Sequence, residues 1–275
     1  MRVGTRRIVV VLAAVGALGV GSLAGVAVGA ARLDPLLAPA ALGYVIEALA
    51  TVAVVVTGLV LLGRGHELGI AVLVSAGVLA IPSLLSLTTG LWLLGAGTVV
   101  ALLVGAPYAV LATTAALAWT RRRSERWRWQ ASWSWPYLVA AAGLLVASWY
   151  PWVREPLLAA GPVGPGVAST FTGPGADGLA PLASFLGLAT LLVGAARLAR
   201  RLAAGLLAAV AAQVLPTALY AVQHAVREGL TVTPFGWVAL VSSLLLAVTA
   251  LRWRDVERRA EQERRDALAQ AAGLT

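Results

Sequence analysis

The sequence predicts an all-α integral membrane bundle of eight transmembrane helices with both termini in the cytoplasm and a short cytoplasmic C-terminal helix. Three observations predict it. Eight apolar runs each approach the ~20 residues that a helix needs to cross the hydrocarbon core. All 21 basic residues are arginine, and they collect in alternate gaps between the runs. The 10 tryptophans lie at or near the ends of the runs, where amphipathic rings meet the headgroups.

Composition sets the class first. The chain is 60% hydrophobic and 12% charged, with a mean hydropathy of +0.86. Soluble domains carry about a quarter charged residues, so too little polar surface remains here to cover a water-exposed globule. Lysine, asparagine and cysteine are absent. The bias suits a GC-rich, actinobacterial genome and hence a bacterial cytoplasmic membrane. Zero cysteines exclude disulfides, thiolate metal sites, thiol catalysis and S-palmitoylation.

The first run, Ile8–Ala30, follows a basic start. Val28-Gly29-Ala30 would serve as a signal-peptide cleavage site, but the run is long for one. Gly21, Gly25 and Gly29 form a small-residue ridge suited to close helix packing, so we read a retained helix. The next runs are Gly43–Leu62, Leu68–Leu87 and Leu91–Trp119. After the arginine-rich turn come Trp133–Tyr150, Leu179–Ala196, Leu202–Val226 and Phe235–Leu251. None alternates as a β-barrel strand would, and helices satisfy their own backbone in lipid. Residues 1–251 form the transmembrane domain and 252–275 the charged tail.

Orientation follows from the arginines. With the N-terminus inside, the outer segments hold only Arg32, Arg154 and Arg227, and all the rest fall inside. The positive-inside rule therefore places both termini in the cytoplasm. The net charge of +9 then reflects arginine held near anionic lipid, not nucleic acid. The same holds for the inner loop Thr120–Gln130, whose arginines interleave with Trp127 and Trp129. The outer segment 151–178 is rich in glycine and proline. It reads as irregular and mobile, either a lid or a plain connector. In the tail, Asp255 with Arg259 and Glu261 with Arg265 are i,i+4 pairs that support a helix continuing out of the last run. That helix would dock a protein partner or stand solvated.

Polar residues inside the runs mark the candidate site, because they are costly in lipid. On the seventh run, Gln213, Thr217, Tyr220, His224 and Arg227 share one helical face beside Pro216. The second run carries Tyr44, Glu47 and Thr51, and the third Pro82, Ser86 and Thr89, at helical spacing. The expectation is an outward-facing polar pocket among runs two, three and seven. Glu47 would pair there with His224 or Arg227, bind a cationic or hydrogen-bonding ligand, or respond to pH. The alternative is that Glu47 snorkels and the stripe bonds helices together. Two isolated histidines and no HExxH argue against a metal. No phosphate loop or GxSxG occurs, so neither catalysis nor a cofactor is expected.

Two segments carry a resemblance. Gly63-Arg64-Gly65-His66-Glu67-Leu68-Gly69-Ile70 resembles the short basic turn between early spans of actinobacterial sensor histidine kinases, and Leu251–Arg265 is similar to their signalling linker. The resemblance implies a membrane sensor. It does not extend to kinase activity, since 252–275 contains no phosphoacceptor histidine. The function expected is a non-enzymatic sensor or accessory signalling subunit, with a homodimer and a protein bound to the tail as the candidate assemblies. The competing class is a small-solute permease: Ile81-Pro82-Ser83-Leu84-Leu85 and Leu215-Pro216-Thr217-Ala218-Leu219 are alike, which would fit a duplicated transporter.

Overall fold

The computed structural model describes residues 3–33, 38–93, 98–120, 135–150, 152–154, 179–198 and 200–271. Among them lie eight α-helices: α1 (Val3–Leu33), α2 (Ala38–Gly63), α3 (Leu68–Leu93), α4 (Thr98–Thr120), α5 (Trp135–Ala147), α6 (Leu179–Arg197), α7 (Arg200–Arg227) and α8 (Pro234–Ala271). Each apolar run becomes a helix. Two short strands, β1 (Val153–Arg154) and β2 (Thr231–Val232), pair antiparallel beside the start of α8. Six helices are long and apolar enough to cross a membrane, namely α1 to α4, α7 and α8. Helix α5 has 13 residues and rises only about 20 Å at 1.5 Å per residue, short of a ~30 Å hydrocarbon core.

Local chemistry sets the ends. The turn after α2 is a Schellman motif: Gly65 takes φ 80°, its N–H bonds Leu62 O at 3.0 Å, and His66 N–H reaches back to Leu61 O at 2.9 Å. Gly229, with φ 69°, ends α7 the same way, and Leu230 N–H bonds Ala225 O at 2.8 Å. Helix α8 opens on Thr233, whose Oγ1 accepts from Gly236 N–H at 3.4 Å, with Pro234 at the first helical position, where it costs no hydrogen bond. The third run ends later than its sequence suggests. Helix α3 continues through Thr89 and Gly90 to Leu93, and α4 starts only at Thr98, because one glycine and a threonine pair do not suffice to stop a helix with apolar residues on both sides. Pro82, Pro107 and Pro216 all lie inside helices.

Helices α3 and α7 occupy the middle. Helix α3 touches α2, α4, α6 and α7, and α7 touches α2, α3, α6 and α8. One buried cluster joins α1 to α4, a second joins α5 to α8, and α3 contributes to both. Alanine and glycine stand among leucine and valine at the contacts, and where they meet the backbones approach closely. A Cβ on Gly69 would stand 2.5 Å from Gly58 O, and one on Gly77 would stand 2.4 Å from both Leu111 O and Ala115 Cβ. On α1 the close-packing glycines are Gly16 and Gly19, against Leu111 and Pro107 of α4. The ridge of Gly21, Gly25 and Gly29 meets no described atom of the chain within 4 Å. It is a surface feature of α1, since α4 packs against the turns before it.

The perimeter is apolar. Leu18 is 73% exposed, Leu103 69%, Val241 60% and Leu186 54%. Aromatic rings knit one end of the second cluster: Trp149 meets Phe185 edge-on at 5.5 Å, and Tyr150 stacks on Phe235 at 4.1 Å. Trp152 lies just past the end of α5 and is buried, with Nε1 donating to Ala147 O at 2.9 Å, because β1 folds it under the start of α8. Past Leu251, α8 runs on as an exposed helix to Ala271, as the i,i+4 pairs predict. The loops at 121–134 and 155–178 lie outside the described residues, and with them the inner arginine loop and the candidate lid.

Packing yields a paired prediction. Gly77→Ala should lower the thermal midpoint in detergent, at a cost of about 1–3 kcal/mol from overpacking. Gly25→Ala on monomeric protein should leave the midpoint unchanged or slightly raised, since alanine favours the helix. Equal midpoints for the two variants would contradict the α3–α4 packing.

Candidate functional site

The polar residues predicted from sequence resolve into three groups. The first centres on Glu47 of α2, the one acid in the eight apolar runs. Its carboxylate accepts a hydrogen bond from Ser83 Oγ of α3. One turn back, Tyr44 places its hydroxyl 2.8 Å from the hydroxyl of Tyr108 on α4. Glu47 lies within electrostatic reach of both phenols. Thr51, one turn on, is buried. The face of Tyr44, Glu47 and Thr51 expected from spacing is therefore real, and it turns towards α3 and α4.

The second group sits at the centre of the bundle. Gln213 is buried on α7, and its Nε2 donates to Ser75 Oγ of α3 at 3.4 Å and to Ala209 O at 3.3 Å. Thr217 donates to Gln213 O at 3.3 Å. The Gln213–Ser75 bond links α7 to α3. The third group continues the same face of α7 towards its C-terminal end. The Tyr220 ring stacks on His224 with centroids 5.7 Å apart and planes 14° apart. Both are half-buried, whereas Arg227 and Glu228 beyond them are exposed. The face thus passes from buried to exposed along the helix.

The expected pairing of Glu47 with His224 or Arg227 is replaced by other partners. Glu47 bonds Ser83, and His224 stacks on Tyr220 of its own helix. The physical reason is proximity. Ser83 comes from the helix that packs directly beside α2, and its hydroxyl satisfies the carboxylate without a second charge having to be desolvated. Ser86 and Thr89 have side chains outside the described set. Sequence reading missed Ser83, Tyr108 and Ser75. Tyr108 had a usable signal: it is a tyrosine in the middle of an apolar run, next to Pro107, where a phenol needs a partner.

A carboxyl ringed by a serine and two tyrosines can hold a proton or a small cation, with hydroxyl oxygens available as further ligands. Among the described residues no three His, Asp or Glu side chains converge as a metal-ligand group. Comparison with protein families, with curated proteins and with solved structures finds no match.

The hydrogen-bonded cluster gives a measurable coupling. In a double-mutant cycle, Tyr44→Phe and Tyr108→Phe should each destabilise the protein, with an interaction energy of about 1 kcal/mol. Additive effects would show that the phenols do not bond one another.

Proposed function

We propose that this is an integral membrane protein of a bacterial cytoplasmic membrane. On this reading the chain crosses eight times with both termini inside, and acts as a non-enzymatic sensor or accessory signalling subunit. The observation that carries the relay is the continuity of α8. Its first residues are fastened by Thr233, whose N–H bonds Trp152 O at 2.9 Å, and by the β1–β2 pair. The same helix then runs unbroken over 38 residues into the exposed charged tail. A helix is stiff along its axis, so a change at the fastened end moves the free end. The arginine asymmetry supports the orientation, which puts the Glu47 cluster and the Tyr220–His224 stack in the outer halves of their helices. The path from Glu47 runs through Ser83 to α3, through Ser75 and Gln213 to α7, and from α7 to α8. The arginine-rich turns meet anionic headgroups, and the tail meets a protein partner.

A small-solute permease is the second reading. The acid on α2, held by hydroxyls within an apolar run, favours it, because intramembrane carboxyls serve proton and cation pathways.

Three measurements test this. Reporter fusions at Arg123, at Gly166 and after Ala271 should read inside, outside and inside; an exterior signal at Arg123 contradicts the orientation. A nitroxide on Leu268→Cys should change its mobility when Glu47→Gln is introduced. Identical spectra would remove the relay, and proton or sodium flux in liposomes that is lost in Glu47→Gln would favour the permease.

A further inference from the structure

The helices of the chain repeat their neighbours. In the first half α1 touches α2, α2 touches α3, α3 touches α4, and α4 returns to α1. In the second half α5 touches α6, α6 touches α7, α7 touches α8, and α8 returns to α5. Between the halves α3 meets α7, α3 meets α6, and α2 meets α7. Exchanging each helix for the one four places along the chain leaves this pattern of neighbours unchanged. The contact of α3 with α6 becomes that of α7 with α2, and the contact of α3 with α7 maps onto itself.

Finer features repeat as well. The shift that carries Pro82 onto Pro216 also carries Leu68 onto Leu202, Leu73 onto Leu207, Ser83 onto Thr217 and Leu85 onto Leu219. Buried positions follow: Val72 matches Leu206, Ala76 matches Val210, and Ala80 matches Val214, all six buried. In each half the first helix meets the fourth through glycine, Gly16 and Gly19 against Pro107 and Leu111, and Gly143 against Val238 and Ser242. In each half a side chain near the start of the first helix also donates to a carbonyl late in the second. Arg6 bonds Leu62 O, and Tyr137 bonds Leu192 O.

We infer that the chain consists of two equivalent four-helix units, related by a half-turn about an axis that runs along the α3–α7 contact. An operation that sends α3 to α7 and α7 to α3 is of order two. Helices four apart point the same way in a chain that reverses at each turn, so the axis lies along the helices. The units are equivalent in frame and unequal in chemistry. The shift carries Glu47 onto Pro181 and Tyr108 onto Ser242, so the carboxyl cluster belongs to the first unit alone. Among the described residues, the exposed charged helix extends from the second unit alone. The buried Ser75–Gln213 bond crosses the joint between them, and it too breaks the equivalence, because the first unit carries Leu79 where the second carries Gln213.

The inference is independent of the sensor reading and is tested on the full chain, which has no native cysteine to remove. Spin labels are placed by Ile8→Cys with Leu198→Cys, and separately by Ala142→Cys with Arg64→Cys, four positions matched by the same shift. These pairs join one unit's first helix to the turn before the other unit's third helix. Each doubly labelled protein, diluted with unlabelled protein in lipid nanodiscs, gives one distance by pulsed electron resonance. A half-turn makes the two distances agree within about one helical turn, ~5.4 Å. A larger disagreement overturns the inference, whatever the tail proves to do.

Discussion

A backbone amide that enters hydrocarbon has no water to bond, so each one must find its partner within its own segment. Six helices of this chain are long and apolar enough to meet that constraint. Long helices with self-satisfied backbones are the permitted solution, and here they run through Pro82, Pro107 and Pro216 without a break. Leucine and valine stand both outside and in the core, while alanine and glycine at the contacts let backbones approach closely. Between helices in lipid no hydrophobic gain is available, so close approach and dispersion replace it. Helices α3 and α7 take the central places.

The polar groups follow the same logic. Gln213 bonds across to Ser75 and serves as a lock between central helices. Tyr44 and Tyr108 satisfy one another, and Ser83 satisfies Glu47. Of these groups, the carboxyl is the one that can gain or lose a proton near neutral pH. Chemistry is thereby concentrated at one end of the α2–α3–α4 face. The mechanical continuity lies elsewhere, in α8. Helix α7, which packs on α8, meets the Glu47 face through both α2 and α3.

The helices were legible in the sequence because a run of apolar residues leaves few alternatives in lipid, and because arginine and glycine punctuate the turns. The end of α3 was not legible, since a weak glycine–threonine signal is overridden once apolar residues continue on both sides. Faces within a helix were legible from spacing, so Tyr44, Glu47 and Thr51, and separately Gln213 and Thr217, fall together as expected. Partners between helices were not. Periodicity says which residues share a face but not which neighbouring helix that face meets, and so Ser83 and Tyr108 went unnoticed while His224 was given a role beside Glu47. Trp152 shows the same limit, because a two-residue strand pair folds it inward. The ridge of Gly21, Gly25 and Gly29 looked like a packing motif, yet Gly16 and Gly19 make the contact with α4.

The account rests on its apolar perimeter facing lipid. Nitroxides placed singly at Leu18, Leu103, Leu186 and Val241 in lipid vesicles measure this directly, through their collision rates with oxygen and with a water-soluble nickel chelate. Oxygen dissolves in hydrocarbon and the chelate does not. High oxygen and low chelate accessibility at all four positions is the predicted result, and ready access by the chelate would contradict it.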